Sequence, residues 1–258
     1  MLFYRNSGEG APLILLHGLL GASENLGALA RLLQQDFNVF SIDLPNHGRS
    51  DHAEGMDFRA MAEAVANWMD EQGLASARVA GHSLGGKVAM ELALGQPEKV
   101  EKLVVLDIAP VAYGPRHERI FAGLRAVDPA TVDSRSQADE RMKPFVKDPA
   151  VRGFLLTNLV RLDGAFRWRM NLSDLQSQYS RLLEANREGH YHGDTLFLKG
   201  GNSDYISDTY KEEILRRFGQ ARVEVVSGTG HWLHAEKPER VARSIKNFLT
   251  QDNRGQNA

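Results

Sequence analysis

Short, uninterrupted apolar runs recur along the chain at Pro12–His17, Asn38–Asp43, Arg78–Gly81, Lys102–Asp107, Thr195–Lys199 and Arg222–Val226. Gly, Pro or Asp bounds most of them. Runs this short that are apolar at consecutive positions predict strands buried on both faces. Between the runs, Ser23–Gln35, Asp57–Glu71, Leu84–Leu94, Asp208–Phe218 and Pro238–Leu249 carry helical spacing of apolar residues. Strands alternating with helices predict βαβ units, and hence an α/β fold with a mainly parallel central sheet and helices on both faces.

One interval breaks the alternation. Residues 111–192 show no strand signal, only helix-like pieces at His117–Val127, Ser136–Val146 and Val151–Leu162. A structureless stretch of that length does not belong inside a compact domain, so a helical insertion covering the sheet is expected. The expected division is a core of residues 1–110 and 193–258 with a cap of residues 111–192. Val111–His190 carries 13 Lys/Arg against 10 Asp/Glu, a net +3 that leaves −5 for the rest, a mild asymmetry. The polar tail Gln251–Ala258 is expected to fray.

Composition narrows the function. The 258 residues hold 31 Lys+Arg and 33 Asp+Glu, a net −2, which argues against a nucleic-acid partner bound by phosphate neutralisation. Cysteine is absent, so no disulfide, thiolate nucleophile or Cys-ligated zinc is available. The first residues turn polar at Arg5 before an export signal could form, and Leu13–Leu16 is far too short to span a membrane. An intracellular, cytoplasmic protein with no membrane span is expected.

The chemistry concentrates at Gly81-His82-Ser83-Leu84-Gly85-Gly86-Lys87, between a predicted strand and a predicted helix. Gly-x-Ser-x-Gly in that setting is the pattern of a nucleophile elbow: a serine on a sharp turn needs small residues two positions either side, and its neighbouring N–H groups lie at a helix N-terminus. A P-loop shares the start of this stretch, Gly81-x-x-x-x-Gly86-Lys87, with Leu103–Asp107 as an apolar strand ending in Asp. It requires Ser or Thr after the lysine to hold Mg²⁺, and Val88 supplies no oxygen. Upstream, a strand ends in His17-Gly18-Leu19-Leu20-Gly21, where an esterase loop donates an oxyanion N–H. Downstream, the last strand runs into Ser227-Gly228-Thr229-Gly230-His231-Trp232, which places a histidine where a weak serine nucleophile needs its base.

Together with Asp43-x-x-x-His47-Gly48-x-Ser50, these motifs resemble the α/β-hydrolase superfamily, whose order is serine, acid, histidine. Asp107-Ile108-Ala109-Pro110, Trp168-Arg169-x-Asn171-Leu172, Gly200-Gly201-Asn202-Ser203 and Gly230-His231-Trp232-Leu233-His234-Ala235 are similar to the bacterial YbfF-type esterases and the α/β-hydrolase domain-containing protein eleven group. The resemblance implies hydrolysis of carboxylic esters and thioesters, short- to medium-chain acyl esters, short-chain aryl esters and acyl-CoA among them, through an acyl-enzyme intermediate. It implies Ser83 as nucleophile and His231 as base, with the Leu19 and Leu84 N–H groups as the oxyanion hole. The acid stays open. The usual superfamily position follows the strand Thr195–Lys199 and gives Asp204; the narrower group uses the Asp ending the strand after the nucleophile helix and gives Asp107, which its Asp-Ile-x-Pro context favours.

Other candidates read as structural. His82, His17 and His47 fit packing or loop-bonding roles beside the site. His190/His192 and His231/His234 lack a nearby third ligand, so neither a metal nor a cofactor is expected. Two other functions use the same frame: a C–C bond hydrolase or lyase with the same three residues, and a non-catalytic binding module. The relatives with an aspartate nucleophile are disfavoured because position 83 is serine. The expected partner is a small acyl ester or thioester.

Overall fold

The protein is described by a computed structural model over residues 1–251, so the expected fraying beyond Gln251 falls outside the described residues. In chain order the elements are β1 (Tyr4–Ser7), β2 (Pro12–Leu16), α1 (Gly27–Leu33), β3 (Asn38–Ile42), α2 (Phe58–Glu71), β4 (Ala77–His82), α3 (Leu84–Gly95) and β5 (Val100–Leu106). Then come α4 (Glu118–Arg125), α5 (Arg135–Met142), α6 (Pro149–Leu156), β6 (Leu159–Leu162), β7 (Ala165–Trp168) and α7 (Leu172–Ser177). The chain closes with β8 (Thr195–Gly200), α8 (Lys211–Arg217), β9 (Ala221–Val226), α9 (Leu233–Glu236) and α10 (Pro238–Thr250).

Seven strands form one sheet in the order β1-β3-β2-β4-β5-β8-β9. All neighbours pair in parallel except β1, which runs antiparallel to β3. The uninterrupted apolar runs follow from burial on both sides, because successive side chains alternate between the faces. In β2, Leu13 and Leu15 join the layer that includes α1 and α10, while Ile14 and Leu16 join the layer built on α2 and α3. The same division holds across α10 (Val241, Ile245, Phe248) and α2 (Met61, Val65, Trp68, Met69). The layer built on α2 and α3 extends into the segment between β5 and β8 through Phe121, Leu124, Met142, Leu155 and Leu175.

Two expectations about local structure are corrected. The segment between β5 and β8 is not purely helical: the piece expected to be a helix to Leu162 stops at Leu156, and β6 and β7 form an antiparallel hairpin. Leu162 opposes Ala165, leaving Asp163-Gly164 as a two-residue turn with φ of 50° and 84°. Asp-Gly accepts positive φ at both turn positions, which matches the twist of the hairpin strands. Asn158 fixes the break, donating through Nδ2 to the carbonyls of Leu20 (2.7 Å) and Leu155 (3.3 Å). The second correction is β1, a polar edge strand with no apolar run to mark it.

Both roots of that segment are held by α3. The buried Lys87 ammonium donates to the Val111 carbonyl (2.6 Å) and the Glu184 carbonyl (3.0 Å). One turn on, Glu91 accepts from the Arg187 N–H (3.1 Å), Arg187 Nε (2.5 Å) and Asn186 Nδ2 (3.1 Å). Burial pulls the Lys87 pKa down to about 7, with the nearby Arg217 charge adding to it and Glu91 opposing it. Among the described residues no helix is long and apolar enough to cross a membrane.

Candidate active site

Ser83 stands between β4 and α3 with φ 52° and ψ −114°, a conformation that costs a non-glycine residue on the order of 1–3 kcal/mol. The turn is tight enough to exclude side chains on both flanks. A Cβ on Gly81 would lie 2.1 Å from the Gly85 carbonyl oxygen, and one on Gly85 would lie 2.2 Å from that of Leu16. This is the steric reason for glycine two positions either side of the serine.

The loop after β9 delivers His231 to this turn. Its Nε2 lies 3.0 Å from Ser83 Oγ and its Nδ1 lies 2.8 Å from Asp107 Oδ2. Asp107 follows directly on β5 in the left-handed region, φ 52°, and is wholly buried. The Gly200 N–H donates to its Oδ1 (2.9 Å), and the Ser203 hydroxyl donates to its Oδ2. An acceptor-only carboxylate on Nδ1 keeps the proton there and leaves the Nε2 lone pair facing the serine. His231 is itself framed by rings. Tyr205 stacks on it at 3.9 Å with 18° between planes, and His82 packs at 4.8 Å. His82 Nε2–H donates to the His231 carbonyl (2.8 Å), so the residue before the serine also grips the main chain of the histidine.

On the other side of Ser83 runs the loop after β2. Neither the Leu19 nor the Leu84 N–H has a hydrogen-bond partner among the described residues, and both leucines line the cleft beside the serine. The loop is braced by His17, whose Nδ1–H donates to the Gly18 carbonyl (2.8 Å) while Nε2 accepts from the Leu44 N–H (3.0 Å). Burial lowers the His17 pKa to about 4 and that of its neighbour His47 to about 3. Asp43 accepts from the N–H groups of Ser23 (2.6 Å) and Arg49 (2.8 Å), and Gly48, φ 56°, passes where a Cβ would meet its carboxylate at 2.0 Å. The Asp-x-x-x-His-Gly-x-Ser motif thus braces the loop after β2 without lining the cleft at Ser83.

The structure brings Ser83, His231, Asp107, Leu19 and Leu84 together and leaves Asp204 apart. Asp204 is exposed and pairs with Arg116 Nη1 at 2.7 Å, and that hydrogen bond holds its carboxyl below the usual range. Ser203, quoted only within the Gly200-Gly201-Asn202-Ser203 motif, and Tyr205, which no motif marked, also meet the site, Ser203 at Asp107 and Tyr205 on the His231 ring. The signal for Tyr205 was its place beside Asp204 in the loop after β8. Among the described residues no group of three or more histidine, aspartate or glutamate side chains is arranged to hold a metal ion.

Two lobes open from Ser83, with Ser83, Leu19 and His117 common to both. The wide lobe spans about 1000 Å³ including the solvent at its open mouth and is walled by Leu20, Ile120, Val151, Phe154 and Trp232, with His231 among its lining. The narrow one spans about 440 Å³ on the same basis, and its wall includes Leu84, Lys87, Tyr113, Tyr179 and Tyr205. His117 Nδ1 bonds the Tyr179 hydroxyl (2.6 Å), and burial lowers its pKa to about 4.

Residues 11–238 match the family described as alpha/beta hydrolase fold. The chain is 39% identical over 246 residues to esterase YbfF of Escherichia coli, covering 95% of each protein. It is also 39% identical over 246 residues to the mouse sn-1-specific diacylglycerol lipase ABHD11, covering 92% of this chain and 80% of that one. A solved marine microorganism esterase superposes with a TM-score of 0.94 at 36% identity, covering 96% of this chain and 99% of the other.

Proposed function

From its membership of the α/β-hydrolase family, in which the chain is a carboxylic ester hydrolase, we propose that it works as a serine esterase through Ser83, His231 and Asp107. One observation carries the proposal: the unbroken chain from Ser83 Oγ through both ring nitrogens of His231 to the buried Asp107 carboxylate. Ser83 Oγ bonds to the acyl carbon as His231 Nε2 takes its proton, and the Leu19 and Leu84 N–H groups receive the oxyanion. The C–O bond to the alcohol then breaks, and His231 returns the proton to the departing oxygen. Water repeats the sequence on the acyl-enzyme and releases the acid.

Asp107 holds the imidazole in the required tautomer and stabilises its charged form, and Ser203 and Gly200 hold Asp107. Asp204 takes no part. The segment 111–192 acts as a cap that supplies the outer walls of both lobes, through residues such as Val151, Phe154 and Tyr179. Thioesters, acyl-CoA included, fit the same chemistry because a thiolate leaves more readily than an alkoxide. The location proposed for this activity is the cytoplasm. The test is hydrolysis of p-nitrophenyl acetate with parallel fluorophosphonate labelling. Wild type turns over and labels at Ser83, whereas turnover that survives Ser83→Ala overturns the proposal.

A further inference from the structure

The two lobes are not equivalent with respect to the base. His231 borders the wide lobe, while on the narrow side the imidazole face is covered by the Tyr205 ring stacked at 3.9 Å. Leu84, whose N–H faces the developing oxyanion, borders the narrow lobe alone. In acyl transfer the leaving oxygen must reach the base to collect its proton, so the alcohol departs on the side where the base is open. The acyl substituent then points the other way. Its space is less than half as large, about 440 Å³ against about 1000 Å³ with the open mouths included in both. The narrow lobe is closed in by the Tyr113, Tyr179 and Tyr205 rings together with Leu182 and Leu183, which leaves little length for an aliphatic tail. In the wide lobe Phe154 and Trp232 pair at 5.8 Å among aliphatic side chains, a broad surface for an apolar alcohol.

We propose that the cleft divides its substrate by size, with a short acyl group in the narrow lobe and a bulky, hydrophobic alcohol in the wide one. The preferred substrate class is therefore short-chain acyl esters of large apolar alcohols. This rests on the ester-hydrolase role of Ser83 and His231.

Alkyl alcohols of similar acidity separate binding from intrinsic reactivity, so the test uses methyl and 2-naphthylmethyl esters of acetate and octanoate. With acetate fixed, kcat/KM rises at least tenfold from methyl to naphthylmethyl. With the alcohol fixed, it falls at least tenfold from acetate to octanoate. Phe154→Ala reduces the gain from the bulky alcohol while the acyl-length dependence persists. Leu183 lines the narrow lobe, and Leu183→Ala, which widens it, flattens the acyl-length dependence instead. An enzyme that prefers methyl octanoate to naphthylmethyl acetate, or a long-chain acylglycerol to its acetyl counterpart, overturns the division while leaving the esterase intact. Absence of turnover on every ester together with no fluorophosphonate label overturns both.

Discussion

Replacing Asp107 by Asn removes a charge from a group that is 0% exposed and accepts three hydrogen bonds, from Gly200, Ser203 and His231. All three partners donate, and an asparagine offers one acceptor oxygen and one donor NH₂. With the oxygen kept on the Gly200 N–H, the NH₂ faces His231 Nδ1 and forces the other tautomer. Nε2 then presents a proton to Ser83 instead of a lone pair. Two unit charges about 4 Å apart at an effective dielectric of ~20 interact by about 4 kcal/mol, so losing the carboxylate's support of the imidazolium costs roughly 10³ in rate. The wrong tautomer brings the total to about 10⁴. The assay is kcat/KM for p-nitrophenyl acetate, with a urea midpoint to establish that the variant is folded. Asp204→Asn, on a carboxylate that is 76% exposed and tied to Arg116, serves as the control and stays within about threefold of wild type. A folded Asp107→Asn enzyme with more than a tenth of wild-type activity, or a collapse in Asp204→Asn, would refute the assignment of the acid.

Ser83→Ala lowers kcat by about 10⁶, as loss of a member of a cooperating triad does, measured under single-turnover conditions with the same ester. Gly85→Ala drives a Cβ to 2.2 Å from the Leu16 carbonyl and 2.6 Å from that of His17, so it destabilises the fold by about 3 kcal/mol in urea melts; an unchanged midpoint would contradict the packing described. Burial lowers the pKa of His17 and His234 from 6.5 to about 4 and that of His47 to about 3. These imidazoles are neutral in the fold while the unfolded chain takes up protons below pH 6.5, so stability is full above that pH and is lost as pH falls toward 4. His17 alone contributes about 3 kcal/mol of that loss by pH 4, and a flat urea midpoint between pH 6.5 and 4 would exclude it.

Much of the layout was legible because burial writes itself into composition. Strands covered on both faces are apolar at every position, as in Leu13–Leu16, and glycine is obligatory at 81 and 85 whatever the rest of the chain does. The edge strand β1 left no such mark, since its side chains are at most half-buried and its sequence is polar. The hairpin did carry a signal, Asp163-Gly164, but the apolar spacing of residues 151–162 also suits a helix, and only the Asn158 bonds to Leu20 and Leu155 end it. Two aspartates follow strands at the carboxyl edge of the sheet, Asp107 after β5 and Asp204 after β8. Which one meets His231 depends on loop geometry, the left-handed turn at Asp107 and the grip of Arg116 on Asp204, and spacing along the chain does not encode either.

Lys87 has a consequence for engineering. One ammonium on the nucleophile helix fastens both ends of the inserted segment, at Val111 and Glu184, and Glu91 fastens the residues just beyond. The intervening stretch is thereby plugged into a socket that belongs to the core. Cut points outside the pair, before Val111 and after Arg187, leave the socket intact, and a foreign insert grafted there must bring two backbone carbonyls for Lys87 and donors for the buried Glu91 carboxylate. Lys87→Met would unplug any such graft, original or foreign, because both ends of the segment between β5 and β8 rest on that one ammonium.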